Sequence, residues 1–482
     1  MTENALSRAL PADFNRPVFL LYIIVILALF GLGLGYMFYK GKYLYLGLIL
    51  ASPLLIMILT QPKLAVGQFI FALFISRLIF EGQPWLWADL SGIILTAAAW
   101  LDLFSESKFH KGLPRLSFNF LLLLLVIFTA GLFSYQPEAA FNPLGRITLL
   151  FLYFLAIYRL SGKVNMSWSL NLFFGLSVIH SIIVLIPFLA SGGNFRSYGL
   201  APVEMAMLAL VVATAKYLWA KEGTGWMYLM GMVVIFFALL SGQFRTLVII
   251  GAAMSILVVF FSRRRAKLEL AMDAPETGGT GTEELSRVKK RPLYLLAGLL
   301  LSVAFVIMLS PQLLAPLLER FERLVTASPS GSLLLRITLW KLAWSQFIDN
   351  PFVGIGPGLF NQIQNVVPVI RMDFFHFYVR GLSAHNLLLH YLAEAGIIGA
   401  VAVLAMMINQ MCLSYKAWLV SASRPVLEVS AILLGISTTI LFTTLTESSW
   451  LWGQSSIVFA FFLALVARNH NNLVIAKRSG NS

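Results

Sequence analysis

The stretch "LSFNFLLLLLVIFTAGLF" (residues 116–133) contains no charged residue. A helix that crosses the hydrocarbon core of a bilayer needs about 20 mainly apolar residues, so this stretch predicts a transmembrane helix. Blocks of the same kind recur from residue 18 to residue 467. Only helices and closed barrels satisfy their own backbone in lipid, and the ten-residue alternation of barrel strands is absent. The sequence therefore predicts an all-α polytopic membrane protein.

The composition agrees with this class. Of the 482 residues 59% are hydrophobic and 12% are charged, whereas soluble domains carry about 25% charged residues. We expect 12–14 transmembrane helices. The apolar blocks lie near 18–36, 44–60, 64–80, 86–103, 116–133, 146–159, 168–189, 203–220, 226–241, 246–262, 293–310, 386–412, 428–445 and 453–467. The span 86–103 fits least well, because it contains Asp89 and Asp102.

Basic residues predict the orientation. The loop 263–292 has basic clusters at both ends and a Gly/Thr-rich middle, so the positive-inside rule places it in the cytoplasm, with both chain termini. We therefore interpret the formal charge of +14 as the basic residues that set the membrane orientation, and not as a nucleic-acid-binding surface. The expected division is a cytoplasmic N-terminus (1–17), ten helices (18–262), a cytoplasmic linker (263–292), an eleventh helix (293–310), a periplasmic segment (311–384), three helices (385–468) and a cytoplasmic C-terminus (469–482).

Arginines recur at the predicted outer ends of the spans. Arg196, Arg245 and Arg336 each stand where a span meets the outer surface, and Arg146 faces the same side. A guanidinium binds phosphate through a planar fork, so together these residues predict a site for a diphosphate. The alternative is that each arginine only extends its charged head from the hydrocarbon to the interface.

The stretch "RGLSAHNLLLHYLAEAGIIGA" (380–400) brings several ionisable residues to the start of the twelfth span. With Ser383 as N-cap, His385 would lie in the first helical turn, where the positive helix end favours a neutral imidazole that can accept a proton. Asn386, His390 and Glu394 follow at intervals of four residues. We expect Glu394 to pair with an arginine, because an unpaired carboxylate is costly there. The alternative is a polar cap with helix-packing hydrogen bonds; Arg380 is a rim residue without an assigned role.

The preceding segment has a pattern of its own. Residues 333–349 predict an amphipathic helix along the membrane surface, and Asn350–Pro351 should end it. The stretch "GIGPGLF" (354–360) predicts a tight turn, since its glycines allow unusual backbone angles and Pro357 fixes a corner.

These two segments resemble the O-antigen ligase/polymerase superfamily. The stretch "RITLWKLAWSQFIDNPFVGIGPGLF" (336–360) is similar to that family's Arg-x-x-x-Trp helix, Asn-Pro break and Gly-x-Gly turn. The stretch "SAHNLLLHYLAEAGIIG" (383–399) is similar to its His-Asn, Leu-rich, Glu-x-Gly signature. The likeness extends over roughly residues 190–412.

The resemblance implies a GT-C-type helical bundle with a large periplasmic segment, in the bacterial inner membrane. It implies transfer of a glycan from an undecaprenyl diphosphate carrier to an acceptor sugar, without metal or other cofactor and with inversion of the anomeric centre. His385 corresponds to the catalytic histidine, and Arg196, Arg245 and Arg336 to arginines that contact the diphosphate. Asn386, His390, Glu394, Arg380 and Arg146 would support the site or bind the acceptor. Implied partners are the lipid-linked glycan, an acceptor glycan or lipid A–core, membrane lipids and a chain-length regulator.

Alternatives remain within and outside this class. Fourteen spans exceed the twelve usual for ligases and favour a polymerase of O-antigen or exopolysaccharide units; a ligase that attaches the polymer to lipid A–core, or to protein, would use the same residues. A flippase or exporter of lipid-linked oligosaccharide would need polar groups accessible from both sides, whereas the intramembrane charges cluster on the outer side. A scaffold for other envelope proteins would leave the outer arginines unexplained.

Overall fold

The structure is a computed structural model. It describes residues 54–79, 84–105, 113–190, 203–220, 223–241, 249–262, 331–363, 371–372, 375–376, 383–421, 423–446 and 453–478, and a few single residues between 294 and 308. The chain forms two compact units, Met1–Gln61 and Pro62–Ser482. In the first unit, residues 54–60 are helical.

The described part of the second unit is almost entirely helical. The helices are α1 Pro62–Ile79, α2 Pro84–Ser105, α3 Arg115–Leu132, α4 Phe141–Leu160, α5 Met166–Ala190, α6 Val203–Trp219, α7 Gly225–Ser241, α8 Ile249–Ser262, α9 Gly331–Asp349, α10 Phe360–Ile363, α11 Leu387–Val420, α12 Arg424–Thr443 and α13 Gly453–Arg478. Two two-residue strands, β1 Arg371–Met372 and β2 Phe375–His376, pair antiparallel.

Seven helices in the described residues are long and apolar enough to cross a membrane: α2, α3, α4 with its preceding 3-10 turn, α5, α11, α12 and α13. The all-α polytopic membrane class is therefore confirmed. The total of 12–14 helices stays a prediction, because the spans 18–36 and 293–310 and most of 44–60 lie outside the described helices. The division of the chain at the membrane surfaces also stays a prediction.

Helix α2 contains the two aspartates that made its span doubtful. The carboxylate of Asp89 accepts two hydrogen bonds from Nη1 of Arg146, at 2.6 and 2.7 Å. At the other end of the helix, Asp102 forms ion pairs with Arg159 (2.7 Å) and Lys163 (2.5 Å). Pairing removes much of the cost of burying these carboxylates, so the helix can lie in the bundle.

Contacts between helix ends fix the relative directions of several helices. The last turns of α6 and α8 meet where Trp219 Nε1 donates to Ser262 Oγ (3.3 Å), and Lys216 of α6 forms an ion pair with Glu428 in the first turns of α12. The opposite end of α12 meets the start of α11, where Leu387 N donates to Thr444 O (2.8 Å). We call the end of the bundle that holds Thr444 the His385 end, and the end that holds Glu428 the basic end.

Helix α9 has the predicted range, and it ends at Asp349 before Asn350–Pro351. Its buried residues Leu339 and Ala343 lie on the same side as Arg336, and Ala343 belongs to a small apolar cluster that includes Phe360 and Ala384. The glycines of the predicted turn have positive φ: Gly354 (68°), Gly356 (120°) and Gly358 (81°). A helix and a tight turn are thus present where they were predicted, whereas the position of the helix along the membrane surface stays a prediction.

Candidate active site

The two signature segments bind each other through their backbones. Helix α11 is broken at Gly396, where φ is 63° and ψ is −163°, and the break leaves helical carbonyl and amide groups without partners inside the helix. The turn that follows α9 supplies those partners. Ile355 N donates to Ala393 O (2.9 Å), Gly356 N to Glu394 O (3.0 Å), and Ile397 N to Pro351 O (2.8 Å).

Close approach of the two backbones requires glycine on both sides. A Cβ atom at Gly396 would lie 2.3 Å from the carbonyl carbon and oxygen of Phe352, and one at Gly354 would lie 2.4 Å from the carbonyl carbon of Glu394. Both glycines also have the positive φ that other residues rarely adopt. The span predicted for 386–412 is therefore not a regular helix: it begins one residue later, is broken at Gly396, and continues to Val420.

The Glu394 side chain extends this junction. Its Oε1 accepts a hydrogen bond from Phe360 N (3.1 Å) at the start of α10, and its Oε2 lies 3.5 Å from His390 Nε2. The His390 ring also makes an edge contact with the Phe360 ring. The prediction that Glu394 pairs with an arginine is therefore wrong for the described residues. The partners of its carboxylate are the backbone amide of Phe360 and the imidazole of His390. The supporting role of His390 and Glu394 has a definite form: they fix α10 and the turn before it onto α11.

His385 lies just before α11 and not inside its first turn. Among the residues that the structure describes, His385 is the one residue other than glycine that has a positive φ (48°). This conformation costs energy, so surrounding contacts must maintain it. The N-cap is Asn386, whose Oδ1 accepts from Leu389 N (3.1 Å); Ser383 as N-cap is therefore wrong. The His385 ring is half-buried, with its Nδ1 atom buried.

A turn at the end of α12 holds this region in place. Asn386 Nδ2 donates to Leu445 O (3.1 Å), and Leu387 N donates to Thr444 O. Nη1 of Arg336 donates to Thr446 O at 2.7 Å. The carbonyls of residues 444–446 therefore join Arg336 of α9 to the residue that follows His385. Nothing in the sequence of this turn signalled that role, because it depends on backbone carbonyls, which every residue has.

Arg146 lies at the same end of the bundle, where it forms an ion pair with Asp89. Besides Asp89, its guanidinium donates to Ser456 Oγ through Nε (3.2 Å) and Nη2 (2.9 Å). Tyr153 Oη also donates to the Asp89 backbone carbonyl (3.0 Å). These bonds connect α2, α4 and α13. The sequence could have indicated this pairing through Asp89, because a carboxylate in an apolar helix requires a partner.

Three predicted site residues, Arg196, Arg245 and Arg380, lie outside the described residues. The structure therefore brings together His385, Asn386, Arg336, His390 and Glu394, through the turns at 350–360 and 444–446. Over the ranges that the structure describes, no group of three or more His, Cys, Asp or Glu side chains has the arrangement of a metal site.

Comparison with protein families identifies the same part of the chain. Residues 284–404 match the family model described as O-antigen ligase. The resemblance to the O-antigen ligase/polymerase superfamily is confirmed. The match contains α9, the turn at 350–359, α10 and the first half of α11, which together form the O-antigen ligase signature. No curated protein matches the chain.

The family supports a membrane function of the O-antigen ligase or polymerase type, with lipid-linked glycan and lipid A–core as substrates in general. Arg146, Arg196 and Arg245 lie outside the matched residues, so their roles rest on the sequence and on contacts alone. Multiple apolar helices and the family together indicate a multi-pass membrane protein.

Proposed function

We propose that this protein is a membrane glycosyltransferase that moves a glycan from an undecaprenyl diphosphate carrier to an acceptor sugar hydroxyl. We further propose that it acts at the periplasmic face of the bacterial inner membrane, with both termini in the cytoplasm, and that it polymerises O-antigen or exopolysaccharide repeat units. The single observation that carries this proposal is the geometry of His385, a half-buried histidine with φ of 48° beside the turn that binds Arg336.

His385 is the proposed general base. A general base must lie at fixed positions relative to its substrate, and the bonds of Asn386 and Leu387 to residues 444–445 provide that fixation. Because Nδ1 is buried, we assign proton acceptance to Nε2. This role contributes about 10²–10⁴-fold to a rate in typical enzymes.

Arg336 is the proposed diphosphate ligand, together with Arg196 and Arg245. The hydrogen bond to Thr446 O uses one nitrogen of the Arg336 fork and orients the guanidinium. The helices that flank Arg196 and Arg245 support their inclusion. Val203 of α6 and Ile249 of α8 stand at the starts of helices whose other ends, Trp219 and Ser262, meet at the basic end, so both starts point toward the His385 end.

The reaction is a single displacement. The acceptor hydroxyl oxygen bonds to the anomeric carbon as its proton passes to His385, and the bond from the anomeric carbon to the phosphate oxygen breaks. The electron pair of that bond leaves with the lipid diphosphate, whose growing negative charge the arginines stabilise. Attack opposite the leaving group inverts the anomeric centre, and neither a covalent enzyme intermediate nor a metal ion is required by this scheme.

A ligase is the second candidate, and the description of the matching family model favours it. Its acceptor would be lipid A–core or a protein hydroxyl, whereas the groups at the diphosphate would be the same. Deletion of the gene distinguishes the two candidates: loss of a polymerase leaves lipid-linked single units, and loss of a ligase leaves long unattached polymer. A chain-length regulator is a proposed partner for the polymerase only.

The direct test is transfer from an undecaprenyl diphosphate glycan by purified protein in the presence of EDTA. We expect turnover by the wild type, and at least a hundredfold loss for His385→Ala with lipid binding retained. Lys341→Gln, an exposed change on α9, serves as the control and should keep full activity. Full activity of His385→Ala would refute the base assignment, and a strict requirement for a divalent ion would refute the arginine scheme.

A further inference from the structure

The basic end of the bundle carries a cluster of cations that the proposed reaction does not use. Arg115 is the first residue of α3, Lys416 lies on α11, and His470 lies on α13. The hydrogen bond from Asn409 Nδ2 to Asn119 Oδ1 (3.1 Å) holds α3 and α11 together within about two turns of Arg115 and Lys416, and both cations act electrostatically on His470. Neither Arg115 nor Lys416 forms an ion pair with a described acidic residue.

Other charged side chains of the bundle have partners of their own. Asp102 already binds Arg159 and Lys163. A further cation, Arg468, lies against the Tyr158 ring, with its guanidinium carbon 5.5 Å from the ring centre. The described charges that act on His470 are thus both positive, and a negatively charged ligand would be their natural counterpart.

An apolar groove lies between the same two helices, α3 and α11. It has a volume of about 270 Å³, and its lining is entirely apolar: Leu122, Val126, Ile397, Ile398, Val401, Ala402 and Ala405. On α3, Leu122 and Val126 follow Arg115 by seven and eleven residues, which places each of them within about 20° of Arg115 around the helix axis. On α11, Ala405 precedes Lys416 by eleven residues and shares its side of the helix in the same way. The cations and the groove thus occupy one continuous face.

A polar pair separates the cluster from the groove. Asn409 Nδ2 of α11 donates to Asn119 Oδ1 of α3 at 3.1 Å. Asn119 lies one turn, about 6 Å, beyond Arg115, and Leu122 lies about 10 Å beyond it. The order along this face is cations, amides and then hydrocarbon, which is the order of phosphate, ester and acyl chain in a phospholipid.

We propose that this face binds one anionic phospholipid. Its phosphate lies among Arg115, Lys416 and His470, its ester region lies at the Asn119–Asn409 pair, and one acyl chain lies in the groove. Along the helix axes the groove begins about 10 Å from Arg115 and about 16 Å from Lys416, so an acyl chain that spans the ~15 Å depth of one leaflet can reach it from a phosphate held between the cations. The proposal does not depend on the glycosyl transfer, because the cations that would hold the phosphate lie at the end of the bundle opposite His385.

The test is native mass spectrometry of the purified full chain with palmitoyl-oleoyl phosphatidylglycerol or phosphatidylcholine. The wild type should bind phosphatidylglycerol at least tenfold more tightly. Each cation near a membrane surface contributes about a fivefold gain for an anionic lipid, so the double variant Arg115→Gln/Lys416→Gln should lose about thirtyfold. Lys341→Gln, at an exposed position outside this face, should bind like the wild type.

Two further measurements distinguish a lipid-binding site from a site for free phosphate. Ala405→Trp fills the groove and leaves the cations, so it should also weaken phosphatidylglycerol binding, whereas millimolar inorganic phosphate should not displace the lipid. Cys412 is the single cysteine and is exposed on the same side of α11 as Lys416, so a bimane attached there should report lipid binding.

Equal binding of the two lipids, an unchanged affinity of the double variant, or displacement by inorganic phosphate would each overturn the proposal. Thermal unfolding of both variants checks that they fold. If the double variant fails to fold, Ala405→Trp and the bimane signal decide the question alone.

Discussion

Replacement of Gly396 by alanine tests whether the break in α11 holds the two signature segments together. At this position φ is 63° and ψ is −163°, a region essentially restricted to glycine, which costs other residues about 1–3 kcal/mol. The added Cβ would lie 2.3 Å from the Phe352 backbone. Because the obstacle is backbone, the turn at 350–359 must move away.

The size of the effect follows from what that movement breaks. Three backbone hydrogen bonds join the turn to α11, and each contributes about 1 kcal/mol net. Together with the strain, we expect Gly396→Ala to lower the free energy of unfolding by about 4–6 kcal/mol when the turn moves far enough to lose these bonds. If the turn undocks, we expect rapid proteolysis between Asn350 and Phe360 and loss of glycan transfer.

Gly175→Ala is the matched control. Gly175 lies inside α5, and a Cβ there would meet no atom within 4 Å. Alanine is the better helix former by about 1 kcal/mol, so this change should be neutral or slightly stabilising. Thermal unfolding in detergent and limited proteolysis measure both variants. If Gly396→Ala unfolds and is cleaved like the wild type, the claim that this junction depends on glycine is refuted.

Three other changes probe the His385 end. Asp89→Asn should destabilise the bundle by about 2–4 kcal/mol because it removes the carboxylate that balances the charge of Arg146 in a mostly buried place. Adding Arg146→Gln should recover part of the loss in a double-mutant cycle of thermal unfolding, and additive losses would contradict the pairing. Asn386→Ala should cost about 1 kcal/mol through the lost N-cap, yet lower kcat far more than this stability change explains, since His385 loses its anchor; an unchanged kcat would count against that anchoring. Arg336→Lys keeps the charge but not the planar fork, so we expect a tenfold or greater drop in kcat/KM for the lipid donor, and wild-type kinetics would argue that the guanidinium binds no diphosphate.

Much of the fold was predictable because its signals are local. Runs of apolar residues define helices, and the predicted spans from 64 to 262 coincide with α1–α8 to within a few residues, apart from the start of α4. The amphipathic helix 333–349 and its Asn-Pro end were equally readable, since proline cannot continue a helix. Asp89 and Asp102 lowered the expectation for α2 only because their partners lie far away in the sequence.

The site was predictable in its parts but not in its connections. The sequence identified His385, His390, Glu394 and Arg336 as the residues to consider. It could not show that Glu394 binds a backbone amide instead of an arginine, because that amide becomes available only when the turn before Phe360 docks. The N-cap of α11 is Asn386, three residues after the predicted Ser383. A hydrogen bond from Asn386 Nδ2 to the distant Leu445 carbonyl holds the side chain at that position.

The sequence by itself determined the class of this protein, the positions of most helices and the family signature, because each depends on residue type at short spacing. Only the tertiary structure decided that the Gly-x-Gly turn completes the hydrogen bonds of a broken helix. It also decided that the turn after α12 joins Arg336 to Asn386, the residue that follows His385, and that an apolar groove lies between the helices that carry Arg115 and Lys416. These features arise where backbones distant in the chain come within hydrogen-bond distance, and no local pattern encodes that approach.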